Sequence, residues 1–167
     1  MTAADWQSCN DPDALVRALP ADRYQRELRL FALACVRRVW HLLPAGCRAA
    51  VDASEGLAEG RVKLPELLAA VDVAVAEAQA AFPGHSAPDA RGYAASAAVD
   101  ASSEWPRTAS NVLAATSCAA SAAGCAAGEA DGGRYDEAFE AARVAELASQ
   151  ASVLRGLVSY PSEPRRG

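Results

Sequence analysis

The sequence predicts an all-α fold: a compact, alanine-rich bundle of about seven or eight helices in a single domain. Three observations carry that prediction. Alanine fills about a quarter of the 167 residues; it is the best helix former and lets helices approach closely. Apolar positions recur every three or four residues, and no alternating β pattern reaches a useful length. The breaks between segments carry helix punctuation, with Asp, Thr or Pro at starts and Gly or Pro at ends. With 51% apolar and 22% charged residues, the chain has a globular rather than a disordered balance.

The elements follow in order. Thr2 and Asp5 form a short capping-box pattern that opens a brief helix carrying Trp6. Asp11 caps a second helix with Pro12 at its first position. Pro20-Ala21-Asp22 interrupts, and a long third helix covers about 23–43, ended by Pro44 and Gly46. A fourth, about 47–59, stops at Gly60. Pro65 opens a fifth that Pro83-Gly84 terminates. Val73 and Val75 alternate with small residues there, but Pro65 and the alanine run favour helix. After a loop at 83–89 come a helix to about Trp105, a break at Pro106, and an Ala/Ser-rich helix to about Ala127. A second loop spans 128–133, and the last helix runs about 135–158. Residues 1–160 thus read as one helical domain, with 161–167 a frayed tail.

Charge and composition exclude several classes. The net charge is −5 and the pI near 5.0, and the only lysine is Lys63, so nucleic-acid binding is not expected. The start, MTAADWQSC, has neither a basic nor an apolar leader region. The uncharged stretch 113–128 is too short and too rich in Ala, Ser and Gly to span a membrane. Five irregularly spaced cysteines read as reduced thiols in a cytoplasmic protein.

The densest stretch is RELRLFALACVRRVW, Arg26 to Trp40. Wound at about 100° per residue, the third helix gathers Tyr24, Leu28, Phe31, Ala32, Cys35, Val36, Val39, Leu42 and Leu43 into one apolar arc. Cys35 lies near the middle, with Arg38 and Glu27 at the borders, so its thiol is expected to be inert core. The opposite face carries Leu30, Leu33 and Trp40 among Arg26, Arg29 and Arg37. Two readings follow: a central helix packed on both sides, or a partner surface, since Trp and Arg anchor interfaces.

Signs of catalysis are few. The chain has no CxxC, HExxH or Glu-x-x-His pattern, and neither metal nor cofactor is expected. Cys35 and His41, six apart, fall on different helix faces; Cys118 and Cys125 share one but stand about 10.5 Å apart, too far for a disulfide. GHSAP, Gly84 to Pro88, lacks the second glycine and the preceding strand of a nucleophile elbow, and His85 reads as a solvated loop side chain. Glu55, Glu59, Glu66, Asp72 and Glu77 read as a solvated face. Ser117, Ser121, Gly124 and Gly128 permit close backbone approach, either within the chain or in a homodimer.

DWQSCNDPDALVRAL followed by RELRLFALACVRRVWHLL resembles an uncharacterised group of bacterial small helical proteins. The matching positions are Trp6, Cys9, Asp11, Pro12, Arg26, Leu28, Arg29, Leu30, Phe31, Ala32, Ala34, Cys35, Arg37, Arg38 and Trp40. Val36 stands where the group has a second cysteine. Towards the end, Leu154, Arg155, Leu157 and Pro161 echo its closing pattern, from which Val158, Ser159, Tyr160 and Ser162 depart. The resemblance implies a shape rather than an activity. It further implies that Trp6, Asp11, Arg29 and Arg37 form one unit, with the N-terminal helices docked on the arginine face and Asp11 paired to Arg29 or Arg37.

The expected function is a non-enzymatic protein-binding or adaptor module using Arg29, Leu33, Arg37, Trp40 and Asp11. Its partner is expected to be another protein or a second copy of the chain, with neither nucleic acid nor membrane involved. The alternative is a small helical enzyme or ligand-binding protein that holds an anionic small molecule in an Arg-lined pocket.

Overall fold

A computed structural model describes residues 1–81, 89–103, 109–131 and 134–160. Among these the fold is all-α: α1 (Ala3–Ser8), α2 (Pro12–Arg17), α3 (Gln25–Arg38), a single 3-10 turn (Trp40–Leu42), α4 (Ala45–Ala58), α5 (Leu64–Ala81), α6 (Ala90–Ser102), α7 (Ala109–Asp131) and α8 (Tyr135–Leu157). None of the described helices is long and apolar enough to cross a membrane.

The expected caps form. The Thr2 hydroxyl accepts from the Asp5 amide at 3.1 Å, while the Asp5 carboxylate accepts from the Thr2 amide at 2.8 Å. Asp11 accepts from the Asp13 amide at 2.9 Å, ahead of Pro12. Gly60, at φ 74°, ends α4 in the left-handed conformation that glycine adopts without a Cβ clash. The next amide, of Arg61, donates back to the Gly56 carbonyl at 2.7 Å.

α3 is the central helix, packed against α4, α6, α7 and α8. It contributes several of the core's large side chains, among them fully buried Leu28, Phe31, Leu33 and Val36. Each contributes about 1.5–3 kcal/mol through burial. α6 and α7 meet it with small ones: Ala94, Ala95, Ala97, Ala98, Ala101, Ala115, Ala119 and Ala122 are all sealed from solvent. The large-on-small arrangement lets the helices close together. α1 and α2 are short; α2 rests on α7 and α8.

Three boundaries differ from the sequence expectation. The third helix stops at Arg38 instead of running to residue 43, and the chain tightens into the 3-10 turn. Pro44 excludes Leu43 from the α region, and Leu43 is extended, at ψ 135°. α7 continues four residues past Ala127 to Asp131, so that most of the supposed loop at 128–133 is helix. The helix expected to reach Trp105 ends at Ser102. Residues 83–88 of the first loop, the Trp105-Pro106 break and the tail 161–167 lie outside the described residues.

Candidate functional site

The Cys35 face of α3 is core. Cys35 is fully buried, and its thiol is pushed well above the usual range by burial and by the Glu146 carboxylate, against the opposing pull of Arg38. Arg38 reaches across to α8, where its Nε donates to Glu146 Oε1 at 2.7 Å. The almost completely buried Glu146 oxygen also accepts from Gln150 Nε2 at 3.3 Å, and that amide donates to the Thr116 carbonyl of α7 at 3.2 Å. A polar cross-link thus ties α3, α7 and α8 beside the thiol. Cys35 is held protonated and closed to water.

The opposite face is mixed: Arg26 is exposed, while Arg29, Leu30, Arg37 and Trp40 are half-buried. Leu33 is 1% exposed, so the structure removes it from any recognition surface. Arg37 is clamped by Glu55, with Nε to Oε1 at 3.0 Å and Nη2 to Oε2 at 2.7 Å, and by Asp52. Those acceptors raise its pKa further. Its guanidinium lies 3.9 Å from the centroid of the half-buried Trp40 ring. Arg29 is half-buried, its pKa lowered by desolvation, and with Gln25, Arg26 and Ala58 it lines a hollow of about 310 Å3.

The N-terminal unit lies elsewhere. Asp11 is exposed and caps α2, while Arg37 draws its carboxylates from α4. Trp6 is buried and meets Tyr160 edge-on at 6.2 Å. The five expected site residues are therefore not one surface. Leu33 is core, Arg37 is an internal clamp and Asp11 is a helix cap. Arg29 flanks a separate hollow, and Trp40 stands at an edge.

That edge leads to a group of cations that sequence reasoning missed. Beyond Trp40, the residues His41, Leu42, Leu43, Pro44, Arg48 and Arg91 enclose a hollow of about 310 Å3. The Arg48 guanidinium sits 5.6 Å from the Trp40 centroid, and its Nε is buried with no hydrogen-bond partner among the described residues. Neither Arg48 nor Arg91 has a described carboxylate within ion-pair distance. In the first turn of α4, the Cys47 amide already donates to Glu77 of α5 at 3.1 Å. Arg48 and Arg91 are 43 positions apart in sequence, on α4 and α6, and only packing of those helices pairs them.

Cys9, Cys35, Cys47, Cys118 and Cys125 are all free thiols. Among the described residues, no three His, Cys, Asp or Glu side chains gather in a way that could hold a metal ion. Comparison with protein-family models, with curated proteins and with solved structures returns no match.

Proposed function

We propose that this protein is a non-enzymatic binding module that takes an acidic segment of a partner protein at the basic edge formed by Trp40, His41, Arg48 and Arg91. One observation carries the reading: two guanidinium groups without a described carboxylate partner line one hollow, in a chain whose net charge is −5. Guanidinium groups match carboxylates in bidentate geometry, and an adjoining indole is a frequent interface anchor. Relative to the sequence expectation, Trp40 stays in the surface, while Arg48, Arg91 and His41 replace Arg29, Leu33, Arg37 and Asp11. A cytoplasmic setting suits the five free thiols. Kinship with the bacterial helical group remains part of this proposal and brings no activity with it.

A second reading uses the same hollow. Its volume of about 310 Å3 lies at the small end of ligand pockets, so it could take a small polycarboxylate instead. Calorimetric titration of a glutamate-rich peptide and of citrate separates the two. Under the first reading the peptide binds, weakens as salt is raised, and loses about tenfold or more in affinity on Arg48→Glu,Arg91→Glu. Citrate binding alone would favour the second. Peptide affinity unchanged by the double charge reversal would overturn the site.

A further inference from the structure

A second hollow has the opposite chemistry. Between α5 and α6, Val75, Ala78, Gln79, Ser96, Val99 and Asp100 line an open cleft of about 490 Å3. Asp100 lies nine residues beyond Arg91 on α6, about 13 Å further along the axis. The cleft is therefore distinct from the basic edge. We infer that it is a binding site for an organic ammonium ligand, with Asp100 as counter-ion and the valine walls holding an alkyl or aryl body.

The charge comes first. Asp100 is half-buried, and among the described residues its carboxylate has neither a hydrogen bond nor an ion pair; only its backbone carbonyl is used, by the Ser103 hydroxyl at 3.0 Å. A carboxylate partly removed from water without a partner is a cost that a cation relieves. Burial raises the Asp100 pKa accordingly. The neighbouring group supplies no competing charge: Cys118 of α7 has its thiol pushed up to about 11 by burial and by Asp100 itself, so it stays neutral.

The walls define the rest of the ligand. Val75, Ala78 and Val99 offer aliphatic contact, while Gln79 and Ser96 carry oxygens able to accept from an ammonium N–H. A neutral ligand of the same shape leaves the carboxylate uncompensated, and an anionic one is repelled. The volume suits a small molecule rather than a folded element.

The test titrates full-length protein with hexylammonium, hexan-1-ol and hexanoate, by calorimetry and by amide chemical shifts. Hexylammonium is expected to bind about tenfold more tightly than hexanol. Its shifts should centre on Val75, Ser96 and Val99, and hexanoate should not bind. Asp100→Asn, which keeps the size and leaves the basic edge intact, should bring hexylammonium down to the hexanol affinity. Equal binding of ammonium and alcohol, shifts centred elsewhere, no binding of hexylammonium, or an affinity unchanged in Asp100→Asn each overturns the inference.

Discussion

Arg38 shows how a residue's role depends on what crosses it. In sequence it borders the Cys35 arc; in the fold it neutralises a carboxylate that is 8% exposed. Removing one partner of such a pair strands the other, whereas replacing both with apolar groups of similar size is often nearly neutral. Arg38→Ala should therefore cost about 2 kcal/mol, the interior value discounted because the Arg38 side chain is 38% exposed. Arg38→Met,Glu146→Leu should return to within about 1 kcal/mol of wild type. Urea unfolding of the three proteins measures both; equal losses in the single and double variants would contradict the pairing. Cys47 carries a second residue-scale prediction. Burial, and then Glu77, push its thiol from 9.0 to about 11. The folded state holds this proton more tightly than the unfolded chain. The resulting stability is complete below about pH 9 and is lost as pH rises towards 11. Thermal melts should decline across that window, and less steeply for Cys47→Ala than for wild type. Parallel slopes would show that this thiol does not contribute.

Among the elements, α7 and α8 meet along a long seam, and two glycines of α7 lie in tight contact with α8. A Cβ on Gly124 would stand 2.8 Å from the Phe139 ring and 3.0 Å from the Phe139 carbonyl; one on Gly128 would stand 2.6 Å from the Tyr135 ring. The small-residue pattern thus serves packing within the chain at its glycines, while Ser117 remains exposed. The two positions differ in how easily they yield. Phe139 presents backbone that cannot swing aside, whereas Tyr135 is 44% exposed at the first turn of α8. Gly124→Ala should cost about 2 kcal/mol through overpacking, against about 1 kcal/mol or less for Gly128→Ala. Denaturation midpoints that rank the pair the other way would contradict this seam. α3 teaches a complementary lesson. Its periodicity was readable to Arg38, and the Arg37 guanidinium does meet the Trp40 ring as the shared face suggested, but the α-helix stops at Arg38 and a 3-10 turn carries Trp40 to Leu42.

Across the whole molecule, the two ends of the described chain fasten each other. Arg155 of α8 donates to the Cys9 carbonyl, and the Tyr160 hydroxyl donates to the Met1 carbonyl at 2.7 Å. Trp6 packs against the Tyr160 ring. Helices of six residues are too short to be stable alone; α1 carries Trp6 of this clasp, and α2, which rests on α7 and α8, follows directly from Cys9. Arg155→Ala,Tyr160→Ala should raise amide exchange in α1 and α2 by about tenfold. Protection in α6 and α7, whose alanine faces meet in the core, should be unchanged. Uniform loss of protection would mean that the clasp stabilises the whole bundle rather than its end.

Local chemistry was sufficient for much of this. Alanine content, caps at Thr2 and Asp11, and the stop at Gly60 are decided within a few residues, and so are the helix type and most boundaries. The inert Cys35 was legible for the same reason, since helical rotation is a local property. What lies opposite a helix face is not local. Leu33 and Arg37 looked available because their own helix left them uncovered; the fold buries Leu33, and α4 brings Asp52 and Glu55 to Arg37. The pairing of Arg48 with Arg91, the isolation of Asp100 between α5 and α6, and the partner of Arg38 more than a hundred residues away were decided only by tertiary packing. Spacing along a chain records which side chains share a face, whereas the cost of a buried charge depends on which other elements arrive to meet it.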